Sequence, residues 1–275
     1  MTQQQIGFIG GGNMASSLIG GLVSNGYPAE KITVSDLDAE KRTYLSDTFG
    51  VTVLEDSASV AALADVLVLA VKPQVMESVA ISIRASVQKK KPVVVSIAAG
   101  IRVDALEHWL GEGLAVVRCM PNTPALVKTG ATGLYANVQV DDNQKDQVES
   151  LLRAVGVTVW VSSENDLDAV TALSGSGPAY FFMVMEALEE AAIAAGLDPK
   201  VAQLLTQETA LGSAKMALES SESAGVLRQR VTSPGGTTER AIGILEEKGL
   251  KDIFHQAVLA AKQRSVELSD ELGKS

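Results

Sequence analysis

Cysteine, histidine and aromatic residues are all scarce in this chain, and each scarcity narrows what it can do. The single cysteine, Cys119, cannot form an internal disulfide, which suits a reducing compartment. The two histidines, His108 and His255, are its only candidate partners for metal or acid–base work, so Cys119 reads as a buried structural thiol. No H-E-x-x-H, C-x-x-C or G-x-S-x-G pattern occurs, which leaves metal-assisted and hydrolytic chemistry poorly supported. Positive charge is also short: 23 basic residues face 33 acidic ones, for a net charge of −10. Lys89 to Lys91 is the only basic run, so no concentrated face for nucleic acid is present. No apolar stretch is long enough to span a membrane, and Met1 to Gln5 shows neither basic region, hydrophobic core nor cleavage site. A cytoplasmic protein with no nucleic-acid or membrane partner is the expectation.

Apolar residues are plentiful at 46% of 275 residues, enough for a sizeable core and for two domains. Up to about residue 162, short apolar runs alternate with helical stretches: 6–9, 32–35, 65–71, 93–97, 115–118 and 157–161, with 132–137 a further strand. Near-continuous runs such as Val66 to Val71 suit strands covered on both faces. A doubly wound α/β sheet follows, with a polar-faced helix at 141–155 before its last strand. Beyond Ser162 the β-branched runs vanish, and alanine, leucine, methionine and glutamate fill 179–195, 199–218 and 250–272. The expected division is therefore a dinucleotide-binding domain over 1–162 and a helical domain over 163–275. Asp198 before Pro199 reads as a cap, and Gly196 and Gly249 as helix ends. Ile253, Ala257, Ala260 and Ala261 form one stripe of the last helix, for burial either within the chain or across a dimer.

Gly10, Gly12 and Ala15 follow the first strand in a G-x-G-x-x-A pattern and open a helix. Gly10 permits the tight bend, Gly12 lets a pyrophosphate reach the helix N-terminus, and Ala15 lets helix and strand pack closely. The second strand ends at Ser35-Asp36, where a carboxylate would accept hydrogen bonds from ribose hydroxyls and repel a 2′-phosphate. Ser35 can donate to a phosphate, however, and Lys41 and Arg42 follow closely, so the choice between NADPH and NADH stays open. Other strand ends that should border the cofactor are Ala70-Val71-Lys72-Pro73 and the stretch Ile97, Ala98, Ala99. In Met120-Pro-Asn122-Thr-Pro124, Asn122 offers both donor and acceptor in a loop fixed by two prolines, as a site residue or as part of a rigid turn. Ser174-Gly-Ser176-Gly-Pro178-Ala-Tyr180 is a second candidate backbone nest, or a plain helix start.

The segment with the most to say is Thr232-Ser-Pro-Gly-Gly-Thr-Thr-Glu239. Gly235 and Gly236 give a ligand access to the backbone, Pro234 stiffens the approach, and Thr237 and Thr238 open a helix over 240–248. Unpaired N–H groups and partial positive charge at that helix start suit a small carboxylate. Hydride transfer to an electrophilic carbon needs no charged catalytic side chain, because a nicotinamide supplies the chemistry.

Taken together, Ile6-Gly-Phe-Ile-Gly-Gly-Gly-Asn-Met-Ala15, Val71-Lys-Pro73, Val95-Ser-Ile-Ala-Ala-Gly100, Arg118-Cys-Met-Pro-Asn-Thr-Pro-Ala125, Gly175-Ser-Gly-Pro-Ala-Tyr180 and Thr232-Ser-Pro-Gly-Gly-Thr-Thr238 closely resemble pyrroline-5-carboxylate reductase over essentially the whole chain. The resemblance implies a Rossmann-like N-terminal domain, an all-α C-terminal dimerisation domain, and reduction of 1-pyrroline-5-carboxylate to L-proline by NADPH or NADH. It further implies a homodimer through the C-terminal helices, with a decamer as a larger assembly. Carried over by motif, Ile9, Gly10, Gly11, Gly12, Asn13, Met14, Ala70 to Pro73 and Ile97 to Ala99 would hold the cofactor. Ser233, Gly235, Gly236, Thr237 and Thr238 would hold the substrate, with Thr238 hydrogen-bonding the ring nitrogen as the catalytic residue. Asp36 departs from the neutral residue expected of many NADPH-preferring relatives. Two rival readings are weaker. A 3-hydroxyacid dehydrogenase needs an asparagine four residues after a helical lysine, but Lys215 is followed by Glu219. A non-catalytic nucleotide sensor would have no use for the 232–238 loop.

Overall fold

The computed structural model describes residues 4–273, so the expectation for Met1 to Gln3 lies outside the described residues. One sheet carries the strands β1 (Ile6–Ile9), β2 (Ile32–Ser35), β3 (Thr52–Leu54), β4 (Val66–Leu69), β5 (Val93–Ser96), β6 (Val116–Met120), β7 (Gly130–Ala136) and β8 (Gly156–Trp160). Their order is β3-β2-β1-β4-β5-β6-β7-β8. Neighbours are parallel from β3 to β6, β7 is antiparallel to β6, and β8 is parallel to β7. The reversal at β7 has a simple cause: residues 121–129 are too few for the crossover that a parallel return requires. Strand β3 is not expected from the sequence; it is three residues at the sheet edge, with Thr52 exposed, too short to stand out.

The helices of this half are α1 (Asn13–Ser24), α2 (Ala39–Phe49), α3 (Ser57–Leu63), α4 (Pro73–Lys90), α5 (Val103–Leu110), α6 (Asp142–Arg153) and α7 (Asp166–Val170). Alternate residues of each central strand feed two cores. Phe8, Val66, Val68, Val93 and Val95 pack with Leu18 and Ile19 of α1 and Val148 and Leu152 of α6. Ile9, Leu67, Leu69 and Val94 pack on the other face with Met76 and Ile83 of α4 and Leu106 and Trp109 of α5. Each fully buried Leu, Ile or Phe contributes about 1.5–3 kcal/mol, and it is this two-sided burial that makes the strands near-continuously apolar. Helix α6 starts at a capping box in which Asp141 accepts from the Gln144 N–H and the Gln144 side chain accepts from the Asp141 N–H.

By compactness the chain divides into residues 1–176 with 260–275, and residues 177–259. This differs from the expected boundary at 162/163. Composition changes where the last strand ends, yet α7 and the π-helical turn Thr171–Gly175 still pack on the sheet, where a Cβ at Gly133 would come within 2.7 Å of Val170. The end of the final helix returns to the same unit: Ser265 Oγ donates to the buried Asp168 carboxylate at 2.7 Å, and Arg102 pairs with Asp270 at 2.8 Å.

The helical unit comprises α8 (Gly177–Ala194), α9 (Pro199–Glu219), α10 (Ala224–Arg230), α11 (Thr237–Glu247) and α12 (Leu250–Leu272) up to Leu259. Asp198 caps α9 by accepting from the Lys200 and Val201 N–H groups, and Gly196 and Gly249 take positive φ at helix ends. Little of this unit is buried in the chain: Phe181, Phe182, Met183, Leu204 and Leu218 are exposed, as are Ile253 and Ala257 of the small-residue stripe. No helix among the described residues is long and apolar enough to cross a membrane.

A part-buried ion pair locks the sheet to the segment after β8. Arg118 Nη1 of β6 donates to Glu164 Oε1 at 2.5 Å, and the same oxygen accepts from the Val103 N–H at the start of α5 at 2.8 Å. Breaking such a pair leaves a buried guanidinium uncompensated, so Glu164→Ala should lower stability by about 3 kcal/mol. Urea unfolding would check this, and an unchanged midpoint would show that Arg118 finds another partner.

Candidate functional site

The carboxyl ends of β2, β1, β4 and β5 lie side by side, and the strand order reverses between β1 and β4. In open α/β sheets that reversal makes the crevice in which ligands bind. The chain leaves β1 at Gly10, whose φ of +97° only glycine adopts readily, and a Cβ there would sit 2.6 Å from the Ala70 carbonyl oxygen. Gly11 is packed as closely, against Leu45. Gly12 is different: a Cβ would meet nothing within 4 Å, and Gly12 caps α1 with no side-chain hydrogen bond and no acidic residue in the first turn. The start of α1 thus has no side-chain cap and open space beside Gly12, an arrangement that fits a pyrophosphate.

Around this turn the structure places the other candidates. Ala70 N–H donates to the Ile9 carbonyl, and Lys72 is the exposed N-cap of α4 with Pro73 as the first helical residue. Ile97, Ala98 and Ala99 follow β5, and the loop closes at Gly100, whose positive φ and close approach to Leu272 and Leu268 fix its course. At the end of β2, Asp36 Oδ2 accepts from the Gly11 N–H at 2.8 Å and Oδ1 from the Asp38 N–H at 2.9 Å. Ser35 corrects an expectation. It is buried, its hydroxyl pairs with that of Ser57 at 3.0 Å, and its carbonyl receives the Gly10 N–H, so its side chain is not offered to a phosphate.

Asn122 is spent inside the fold. Its side-chain carbonyl accepts from the Ala131 N–H at 2.9 Å and its amide donates to the Ser174 carbonyl at 3.0 Å, which pins the β6–β7 loop to the π turn. Gly175, in that turn, lies against Met120, whose side chain a Cβ would approach within 2.7 Å. Of the two readings open for Asn122, the rigid turn is what the geometry favours. Cys119 is buried, and burial pushes its thiol far above the usual range, so it stays protonated.

In the helical unit, Gly235 adopts φ +71° and Gly236 N–H donates to the Ser233 carbonyl, a tight turn that delivers the chain into α11. Gly236 is the N-cap of α11 without a side-chain hydrogen bond, so Thr237 and Thr238 begin the helix with uncapped N–H groups. The Gly235 N–H already holds a carboxylate, that of Glu239, at 2.7 Å. The reach of Glu239 back across the turn was missed in the sequence, although a glutamate at the third helical position is a known signal for such a contact. Lys215, the alternative catalytic lysine, is exposed and sits 3.8 Å from Glu219.

A doubly wound sheet with an open glycine turn at its reversal defines a dinucleotide-dependent oxidoreductase. Residues 5–100 match the family described as NADP oxidoreductase coenzyme F420-dependent, and residues 164–268 match pyrroline-5-carboxylate reductase dimerisation. The pyrroline-5-carboxylate reductase of Pseudomonas aeruginosa is 51% identical over 274 residues, with 100% of both chains covered. That of Escherichia coli is 40% identical over 99% of this chain and 100% of its own. Among solved structures, the Coxiella burnetii pyrroline-5-carboxylate reductase superposes with a TM-score of 0.94 at 47% identity, covering 98% of this chain and 99% of the other. The Plasmodium falciparum enzyme with NADP bound gives 0.86 at 29% identity, with 98% and 99% covered. The chain belongs to the pyrroline-5-carboxylate reductase family.

The two glycines of the turn should fail differently. Gly12→Ala should fold normally yet bind dinucleotide about tenfold or more weakly, because its Cβ enters the space a pyrophosphate would take. Gly10→Ala should instead lower the melting temperature. Calorimetric titration beside thermal unfolding separates them, and full dinucleotide affinity in Gly12→Ala would place the pyrophosphate elsewhere.

Proposed function

We propose that this chain reduces 1-pyrroline-5-carboxylate to L-proline, the final step of proline synthesis, with NADPH or NADH as hydride donor. The observation that carries the reading is the joint presence of an open helix start at the sheet reversal and a second one, already gripping a carboxylate, in the Gly235–Gly236 turn. Full-length identity to the bacterial reductases supports the same substrate.

When bound, the nicotinamide supplies the hydride. The residues of this chain bind and orient. The N–H groups that follow Gly12 would hold the pyrophosphate, Asp36 the adenosine ribose, and the backbone at Ala70 to Pro73 and Ile97 to Ala99 would line the same sheet edge. Asn122 would act one step away, by fixing the loop that follows β6. In the helical unit, the Ser233 hydroxyl and the N–H groups of Gly235, Thr237 and Thr238 would hold the substrate carboxylate, with Gly236, whose own N–H closes the turn onto the Ser233 carbonyl, letting the ligand approach the backbone. The Thr238 hydroxyl oxygen would accept a hydrogen bond from the protonated ring nitrogen. That contact holds the C=N bond as the iminium, the better hydride acceptor, and needs no charged side chain. After transfer the nitrogen is a secondary amine, and the product leaves as the amino acid.

The apolar residues exposed on α8 and α9 and the small-residue stripe of α12 suit burial against a second copy of the helical unit, so the working species is a homodimer. Dimers of this kind would also be the units of a decamer. That no helix among the described residues is long and apolar enough to cross a membrane, and that Cys119 is a free buried thiol, support a cytoplasmic setting.

Oxidation of NADPH or NADH on adding pyrroline-5-carboxylate, with a 3-oxoacid as control, is the direct test; turnover with the oxoacid alone, or binding without turnover, would reject the assignment. Thr238→Ala should lower kcat/KM about a hundredfold while leaving dinucleotide affinity unchanged, a loss typical of one missing polar contact to the transition state. Unaltered kinetics would remove Thr238 from the reaction. Light scattering should give twice the chain mass or an even multiple of it, and a monomer at micromolar concentration would contradict the dimer.

A further inference from the structure

We infer that this chain selects NADH over NADPH, and that Asp36 makes the selection. The inference rests on the dinucleotide reading above and names which member of the pair the site accepts. A 2′-phosphate at the end of β2 needs donors or cations, and the structure withholds each one the sequence offered. Asp36 stands at that end as an acceptor, 25 residues after Gly11. Its carboxylate cannot turn aside, because Oδ2 receives the Gly11 N–H at 2.8 Å and Oδ1 the Asp38 N–H at 2.9 Å, and its side chain is only 13% exposed. The Ser35 hydroxyl is buried against Ser57. Lys41 Nζ lies 3.9 Å from Asp36 and 3.9 Å from Asp38, so its single charge is divided between two carboxylates. Arg42 donates through Nη1 to the Asp36 carbonyl at 2.7 Å, and its Nη2 is 3.9 Å from Glu55.

The balance at this corner is therefore three carboxylates against two committed cations. A dianionic phosphate placed there meets a fixed negative charge, whereas two ribose hydroxyls are donors and match the carboxylate oxygens that remain accessible. Discrimination arises from repulsion of the wrong ligand as much as from contact with the right one. The glycine turn enters the selection too, since the Gly11 N–H holds the acid in register with the pyrophosphate site.

Titration of the purified protein with NADH and with NADPH, followed by nucleotide fluorescence in the absence of any imine, tests this apart from the reaction. NADH should bind about tenfold or more tightly than NADPH, and AMP should displace it better than 2′-phospho-AMP. Asp36→Ser should erase or invert the ratio, chiefly by tightening NADPH. Asp36→Asn, which keeps an acceptor for the Gly11 N–H, should do likewise if the serine variant folds poorly. NADPH bound as tightly as NADH by the unaltered chain, or a ratio unmoved in both folded variants, would overturn the inference while leaving the reductase reading intact. Failure of both nucleotides to bind would overturn the two together.

Discussion

The close approach of Gly10 to the Ala70 carbonyl is the constraint on which the dinucleotide half depends. Only a residue without a Cβ lets β1 turn away at the point where the sheet order reverses, and only that turn leaves the start of α1 open to a ligand. The two apolar cores exist to hold this point still. Alternate strand residues are driven to opposite faces, so β1 and β4 are clamped between α1 and α6 on one side and α4 and α5 on the other. Displacement of either strand would cost buried area on both faces at once.

The helical unit solves a related problem with fewer resources. It has little buried apolar surface of its own within the chain, and its candidate site is a single turn rather than a sheet edge. Gly235 and Gly236 bring the backbone round so that α11 begins without a cap, and the Glu239 carboxylate folds back onto the exposed donor. The same physics recurs at both sites. Donors at a helix start are left without a side-chain cap at both α1 and α11, where the partial positive charge favours an anion. Hydride chemistry suits such a protein, because binding and orientation are the main things asked of it.

Much of this was legible in the sequence because it is local. The strands at β1, β2, β4, β5, β6 and β8 follow from apolar runs, the cap at Asp198 from residue type and spacing, and the glycine turn from its place after a strand. What escaped was non-local. Strand β3 is only three residues long, too short to stand out from the sequence, and it pairs with the edge that β2 offers. The boundary at 162/163 marked the change of composition but not of packing, since α7 and the end of α12 bury themselves on the sheet. Ser35 was read as a donor facing the ligand, and it is turned inward to Ser57. Asn122, read evenly as site or turn, is tied to Ala131 and Ser174.

The sequence by itself determined the class of fold and the residues with freedom to approach a ligand. These depend on side-chain size, β-branching, periodicity and the missing Cβ, all properties of residues taken a few at a time. Tertiary structure decided which of those residues are available. Whether Lys41 and Arg42 are free to meet a phosphate depends on where Asp38 and Glu55 lie, and whether Arg118 can be buried depends on Glu164, which is 46 residues away. Charge and hydrogen bonding act through space over a few ångströms, so their outcome was fixed only when distant parts of the chain came together.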